Sequence, residues 1–178
     1  MDAEKFTKKS LEVIESCEKL AYEYNNQELT QAHLMYALVT VEDSLIAKLL
    51  TNMGINMDAF TGECEKLVAN RPKVSGGQLF TSPEFSKALI QAEKEAKQMG
   101  DDYISVEHIF LGLLEKADKD IKRVINAYGI TRGKFLEVLA NIRGNRKVES
   151  DNPEDTYVTM RSEILSESCP VRQRTIRS

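Results

Sequence analysis

Cysteine is scarce in this chain. Cys17, Cys64 and Cys169 are odd in number and far apart. That excludes a disulfide framework or a metal knuckle and fits a reducing cytoplasm. No apolar run approaches the length needed to span a bilayer. Met1–Lys5 is read as lacking the basic region and apolar core of a secretion signal. The net charge of −4 leaves no basic footprint for nucleic acid. The phosphate-cradling Gly-x-x-x-x-Gly-Lys-Ser/Thr loop is missing: Gly133-Lys134 has no upstream glycine and is followed by Phe135. There is no serine elbow and no His-Glu-x-x-His, and two histidines leave few candidates for a triad or a metal site. These absences point away from an enzyme, and no cofactor or metal is expected.

What is present is a repeat. Gln27-Glu28-Leu29-Thr30-Gln31-Ala32-His33-Leu34 recurs as Asp102-Tyr103-Ile104-Ser105-Val106-Glu107-His108-Ile109 at an offset of 75 residues. The same offset carries Ile14 onto Leu89, Ala21 onto Ala96, Gly54 onto Gly129, Ile55 onto Ile130 and Phe60 onto Phe135, without a gap. A length of 178 residues with 42% hydrophobic and 29% charged content suits one soluble domain with a real core.

Helical periodicity dominates. Ile14, Cys17, Ala21 and Tyr24 share one face of a first helix, closed by Asn25-Asn26. Thr30 can cap a second helix, Ser44 a third and Asn56 a fourth. Asn70–Leu79, with Pro72, Gly76 and Gly77, reads as a flexible connector. Ser82-Pro83-Glu84 opens a fifth helix with a capping serine, a first-turn proline and an acid at the positive end. Ser105 caps a sixth, Gly129 stops a seventh, and Thr131 caps an eighth. No alternating strand is evident. The expected fold is all-α: eight helices in two four-helix repeats (1–69 and 80–144, connector 70–79) related by a pseudo-twofold axis, forming one domain over 1–144. Residues 145–155 read as a polar linker and 158–178 as a disordered tail. The equivalent positions of His33 and His108 suggest capping or packing in each half.

These features resemble the N-terminal domain of Clp/Hsp100 unfoldases. The residues that carry the likeness are Phe6-Thr7, Leu29–Leu34, Gly54-Ile55, Phe80–Pro83, Ile104–Leu113 and Gly129-Ile130. Asp151-Asn152-Pro153-Glu154-Asp155-Thr156-Tyr157 is similar to the linker that leads into the first ATPase ring in the ClpB type, the protein disaggregases. From Val158 the chain departs from the Ala-, Leu- and Lys-rich helix that should follow. A frame change, a cloning scar or a truncated gene is expected there.

The resemblance implies a non-catalytic module that engages unfolded or aggregated polypeptide before a hexameric ATPase ring threads it. It is expected to be cytoplasmic, monomeric as an isolated domain, and without nucleic-acid or membrane partners. Three polar positions carry over by resemblance: Thr7, Asp101 and Glu107. The two acids are expected to flank an exposed loop, so that their removal would scarcely affect melting. Glu107 also suits the helix dipole and Thr7 a first-turn cap, with no client involved. Ile90, Tyr103 and Phe110 are candidates for the apolar part of a groove, with Leu89 and Ile104 beside them; at least half of these are expected to be core. Ile90 and Phe110 lie off the main stripes. An alternative is a free-standing adaptor that binds a partner chaperone or, as in ClpC-type relatives, clients marked with phosphoarginine. Glu107 would serve such a pocket, but Ala32 stands at the equivalent place in the first repeat.

Overall fold

The computed structural model describes residues 2–144 and 146–154. Among them are eight α-helices: α1 (Lys8–Glu23), α2 (Gln31–Thr40), α3 (Leu45–Asn52), α4 (Met57–Ala69), α5 (Pro83–Gln98), α6 (Val106–Glu115), α7 (Lys119–Ala127) and α8 (Arg132–Arg143). The all-α expectation holds. Each helix begins where a side chain can serve an orphan amide. The Thr7 hydroxyl accepts from the Ser10 N–H at 3.2 Å, and Ser82 accepts from Phe85 at 3.0 Å, 75 residues later. Asn56 and Thr131 do the same for α4 and α8, each at 3.2 Å. After α1 and α5 the chain reverses through a left-handed residue, Asn25 (φ 56°) and Gly100 (φ 72°) respectively. Asparagine and glycine are the residues that adopt this conformation with least strain.

Sequence periodicity did not anticipate two short parallel strands, β1 (Glu28–Leu29) and β2 (Phe80–Thr81), and an isolated bridge between Phe6 and Ile104. Two residues are too few to display alternation. Their register is informative. Leu29 pairs with Thr81, and Phe6 pairs with Ile104. Adding 75 to Phe6 gives Thr81, and adding 75 to Leu29 gives Ile104. The second pairing is therefore the first with the two halves exchanged, as a twofold relation between repeats requires. The hydrogen bonds agree: Thr7 N–H donates to Ile104 O at 3.0 Å, and Ser82 N–H to Leu29 O at 2.8 Å.

The core lies between the halves. α2 and α6 are the central helices, and nearly every face of each is covered. Leu34, Leu38, Leu45, Leu49, Phe60, Ile109 and Phe135 are sealed from solvent, each contributing about 1.5–3 kcal/mol by burial. Phe110 belongs with them. It is fully buried against Phe135, with ring centroids 4.5 Å apart, so it does not line a surface groove as expected. A central helix has no outward face, so a position off the main stripe is still inside. In repeat two the helices approach closely. A Cβ on Gly112 would stand 2.3 Å from the Ala88 carbonyl oxygen, so only glycine fits.

The segment read as a linker returns to the helices. Val148 and Glu154 are buried. Asp102 N–H donates to Val148 O (2.8 Å), Val148 N–H to the Asp101 carboxylate (3.0 Å), and Lys8 N–H to Asp151 O (2.7 Å). Residues 147–154 thus form a strap across the start of α1 and the loop before α6. The tail expected at 158–178 lies outside the described residues.

Candidate functional site

Both repeats build the same device at the start of their central helix. His33 occupies the third position of α2 and His108 that of α6. Each Nδ1 accepts the backbone N–H of the capping residue, Thr30 at 3.0 Å and Ser105 at 2.9 Å. An acceptor at Nδ1 puts the proton of the neutral ring on Nε2. In repeat one that Nε2 meets Asn26 Oδ1 at 2.9 Å, and in repeat two Asp101 Oδ2 at 2.7 Å. Burial, followed by the charge of Arg71, lowers the His33 pKa to about 4, so this ring is neutral. The capping expectation for the two histidines holds.

Repeat two adds charge. Asp101 bonds His108 through one oxygen; through the other it takes Arg143 Nη2 and the Val148 N–H. Burial opposes ionisation of Asp101. The bonds from His108, Arg143 and Val148 outweigh it and hold the carboxyl well below the usual carboxylate range. Arg143 Nη1 lies 3.6 Å from Glu107 Oε2. Glu107 is fully buried, and neither of its oxygens has a hydrogen-bond partner.

Thr7 closes the cluster. Its hydroxyl donates to Glu154 Oε1 at 2.7 Å, and the Val106 N–H, at the first turn of α6, donates to the same oxygen at 3.3 Å. The other oxygen of Glu154 has no hydrogen-bond partner among the described residues. Burial and then the charge of Glu107 push the Glu154 carboxyl up to about 7, against the pull of the Thr7 bond.

The fold therefore brings Thr7, Asp101 and Glu107 into one polar cluster. The expectation that the two acids are exposed is corrected: both are buried, and Asp101 is held in an ion pair. Their removal bears on stability as well as on binding. Tyr103 is half-buried at the rim, between Asp102, which bonds the strap, and Ile104, which bridges to Phe6. Ile90 is 49% exposed on α5. One turn on, Glu93 bonds Lys5 at 2.8 Å, which sets that face of α5 beside the entry to α1.

Sequence reasoning missed Arg143 and Glu154 as members of the cluster. Arg143 ends a helix, and Glu154 sits in a polar run; neither position carries an apolar period to mark it as buried. A signal for the histidine partners was available: Asn26 and Asp101 each precede their histidine by seven residues. Among the described residues no group of three or more His, Cys, Asp or Glu could hold a metal ion, and no helix is long and apolar enough to cross a membrane. Burial raises the thiols of Cys17 and Cys64 far above their ordinary range, leaving no poised nucleophile there.

A family model for the Clp repeat N-terminal domain matches residues 5–128. The chaperone protein ClpB of Nitratidesulfovibrio vulgaris is 40% identical over 163 residues, covering 88% of this chain and 19% of the relative. That of Clostridium tetani is 39% identical over 162 residues with the same coverage of both. The chain thus spans about a fifth of the length of these relatives. Among solved structures, the Hsp104 N-terminal domain of Candida albicans superposes with a TM-score of 0.73 at 21% identity, covering 83% of this chain and 97% of that one. At that identity the likeness concerns the fold.

Proposed function

We infer that this chain, which belongs to the Clp repeat N-terminal domain family, is a non-catalytic polypeptide-binding module of a ClpB-type disaggregase. It engages unfolded or aggregated protein for an ATPase ring elsewhere in the full-length chaperone. The groove lies between the first turn of α1 and the loop and first turn of α6. Thr7, Asp101 and Glu107 form its floor, and Tyr103 and Ile90 lie along its edges.

One observation carries this reading: a stretch of the chain's own backbone already lies in the groove, bound through main-chain carbonyls. The Lys8 and Asp102 amides point outward and receive main-chain carbonyls. Main-chain recognition is indifferent to sequence, which is what a binder of many unfolded clients requires. Affinity per site is weak, since ordering a disordered chain offsets much of the contact energy. Several copies in a ring would raise avidity.

The test is fluorescence anisotropy with a labelled, permanently unfolded protein and with the same protein in its folded form. The reading expects binding of the unfolded form alone, at micromolar or weaker affinity. Equal binding of both forms, or of neither, would overturn it. Retention of a folded chaperone partner instead would favour an adaptor.

A further inference from the structure

The groove holds a chemical mismatch. Three carboxylate oxygens are buried together without a hydrogen-bond partner among the described residues: both of Glu107 and one of Glu154. Two acids face each other where, among the described residues, the donors to Glu154 are the Thr7 hydroxyl and the Val106 N–H, both on the same oxygen. Arg143 faces Glu107 at 3.6 Å as an ion pair; what the site lacks among the described residues is a donor within hydrogen-bond reach of Glu107. A carboxamide supplies it. Its oxygen would take the Thr7 and Val106 donors, as Glu154 Oε1 does, and its NH2 would reach the Glu107 carboxylate.

We propose that residues 147–154 are a displaceable pseudo-ligand, and that the groove's preferred occupant is an extended client segment with a glutamine or asparagine side chain in the place of Glu154. This rests on the polypeptide-binding reading given above. The strap shows the mode of occupancy: carbonyls on the Lys8 and Asp102 amides, an amide on Asp101, and one side chain inserted beside Glu107. Among its described residues Val148 and Pro153 are the only apolar side chains it buries, so the polar bonds are chiefly what retains it. The carboxylate oxygens left without hydrogen bonds weaken it in place; an unsatisfied buried acceptor is costly, and two like charges add to the cost.

Protonation acts on the same balance. The groups facing Glu154 are Glu107 on α6 and, behind it, Arg143 on α8 paired with Asp101; Lys8 and Asp151 lie at the rim. Docking raises the Glu154 pKa from 4.5 to about 7. Docking is therefore strongest below about pH 4.5 and weakens as pH rises to about 7.

The experiment compares the full chain with Glu154→Gln and Glu154→Ala. Hydrogen exchange is followed at the Lys8, Asp102 and Val148 amides, alongside anisotropy with the unfolded protein. Glu154→Gln is expected to slow exchange at all three amides by about tenfold and to weaken client binding by a similar factor. Glu154→Ala is expected to do the opposite. If exchange and binding are the same in all three proteins while the client binds, the inference is wrong. If exchange shifts but binding does not, strap and client do not compete, and it is equally wrong. If no variant binds unfolded protein, the polypeptide-binding reading fails first, and the exchange contrast still decides whether a carboxamide is the better occupant.

Discussion

The two repeats offer the same groove twice, and among the described residues only one copy buries charged side chains. In the groove occupied by the strap stand Thr7, Asp101 and Glu107; at the equivalent places of the other groove stand Ser82, Asn26 and Ala32. The Lys8 amide, which holds the strap, has Pro83 as its counterpart, and proline has no N–H to offer. The second groove is crossed by the connector, whose Val74 N–H donates to Asn25 O at 2.8 Å and whose Pro72 carbonyl takes the Asn26 side chain at 3.3 Å. The connector cannot leave, because it runs directly into β2. The strap has no such anchor among the described residues beyond Glu154. Duplication supplied two equivalent frames; one is closed by the chain's own path and the other is closed by a displaceable segment.

The sharpest way to break this comparison is Asp101→Ala. It takes the Asp101 carboxylate from the buried Arg143 guanidinium and removes a partner from His108 and from the Val148 amide, so a loss of about 3–5 kcal/mol is expected in denaturant unfolding. Ala32→Gly or Asn26→Ser in the other groove should cost far less. A loss under 1 kcal/mol for Asp101→Ala would show that the charged cluster is dispensable to the fold.

Acid should separate the repeats next. The His33 pKa is about 4 when folded, against 6.5 ordinarily, so the unfolded chain binds the additional proton between those values. The contribution of this neutral ring is fully present above about pH 6.5 and declines toward pH 4, by at most about 3 kcal/mol. Asp101 is depressed instead, and its contribution survives until the pH falls below about 3.8. An NMR titration checks the order: His33 should take its proton near pH 4, whereas a midpoint near 6.5 would refute the burial argument.

Packing gives a third contrast. Gly112→Ala drives a methyl into the backbone of α5 and should cost about 1–3 kcal/mol, whereas Ala37→Gly at the matching site of α2 should cost about 1 kcal/mol through helix propensity. Thermal unfolding of the two variants ranks them, and an equal shift would deny the closer approach of α5 and α6.

Much of the frame was legible because it rests on local chemistry. Thr7, Ser44, Asn56, Ser82 and Thr131 cap the helices they precede, and Asn25 and Gly100 close α1 and α5. The 75-residue offset alone places His33 and His108 in one structural role. The burial of Asp101 and Glu107 was not legible. It depends on Arg143, Val148 and Glu154, whose bonds to this region span up to 48 residues of chain, from a stretch whose composition reads as solvated. Phe110 was misplaced for a related reason: a helix covered on all sides has no apolar stripe to read.

The most direct test of the groove is residue-resolved hydrogen exchange of the unaltered protein with and without saturating unfolded polypeptide. If client replaces strap, the Val148 amide loses protection, while Lys8 and Asp102, which exchange one carbonyl for another, remain protected. Unchanged protection at Val148 with client bound would place the binding surface elsewhere.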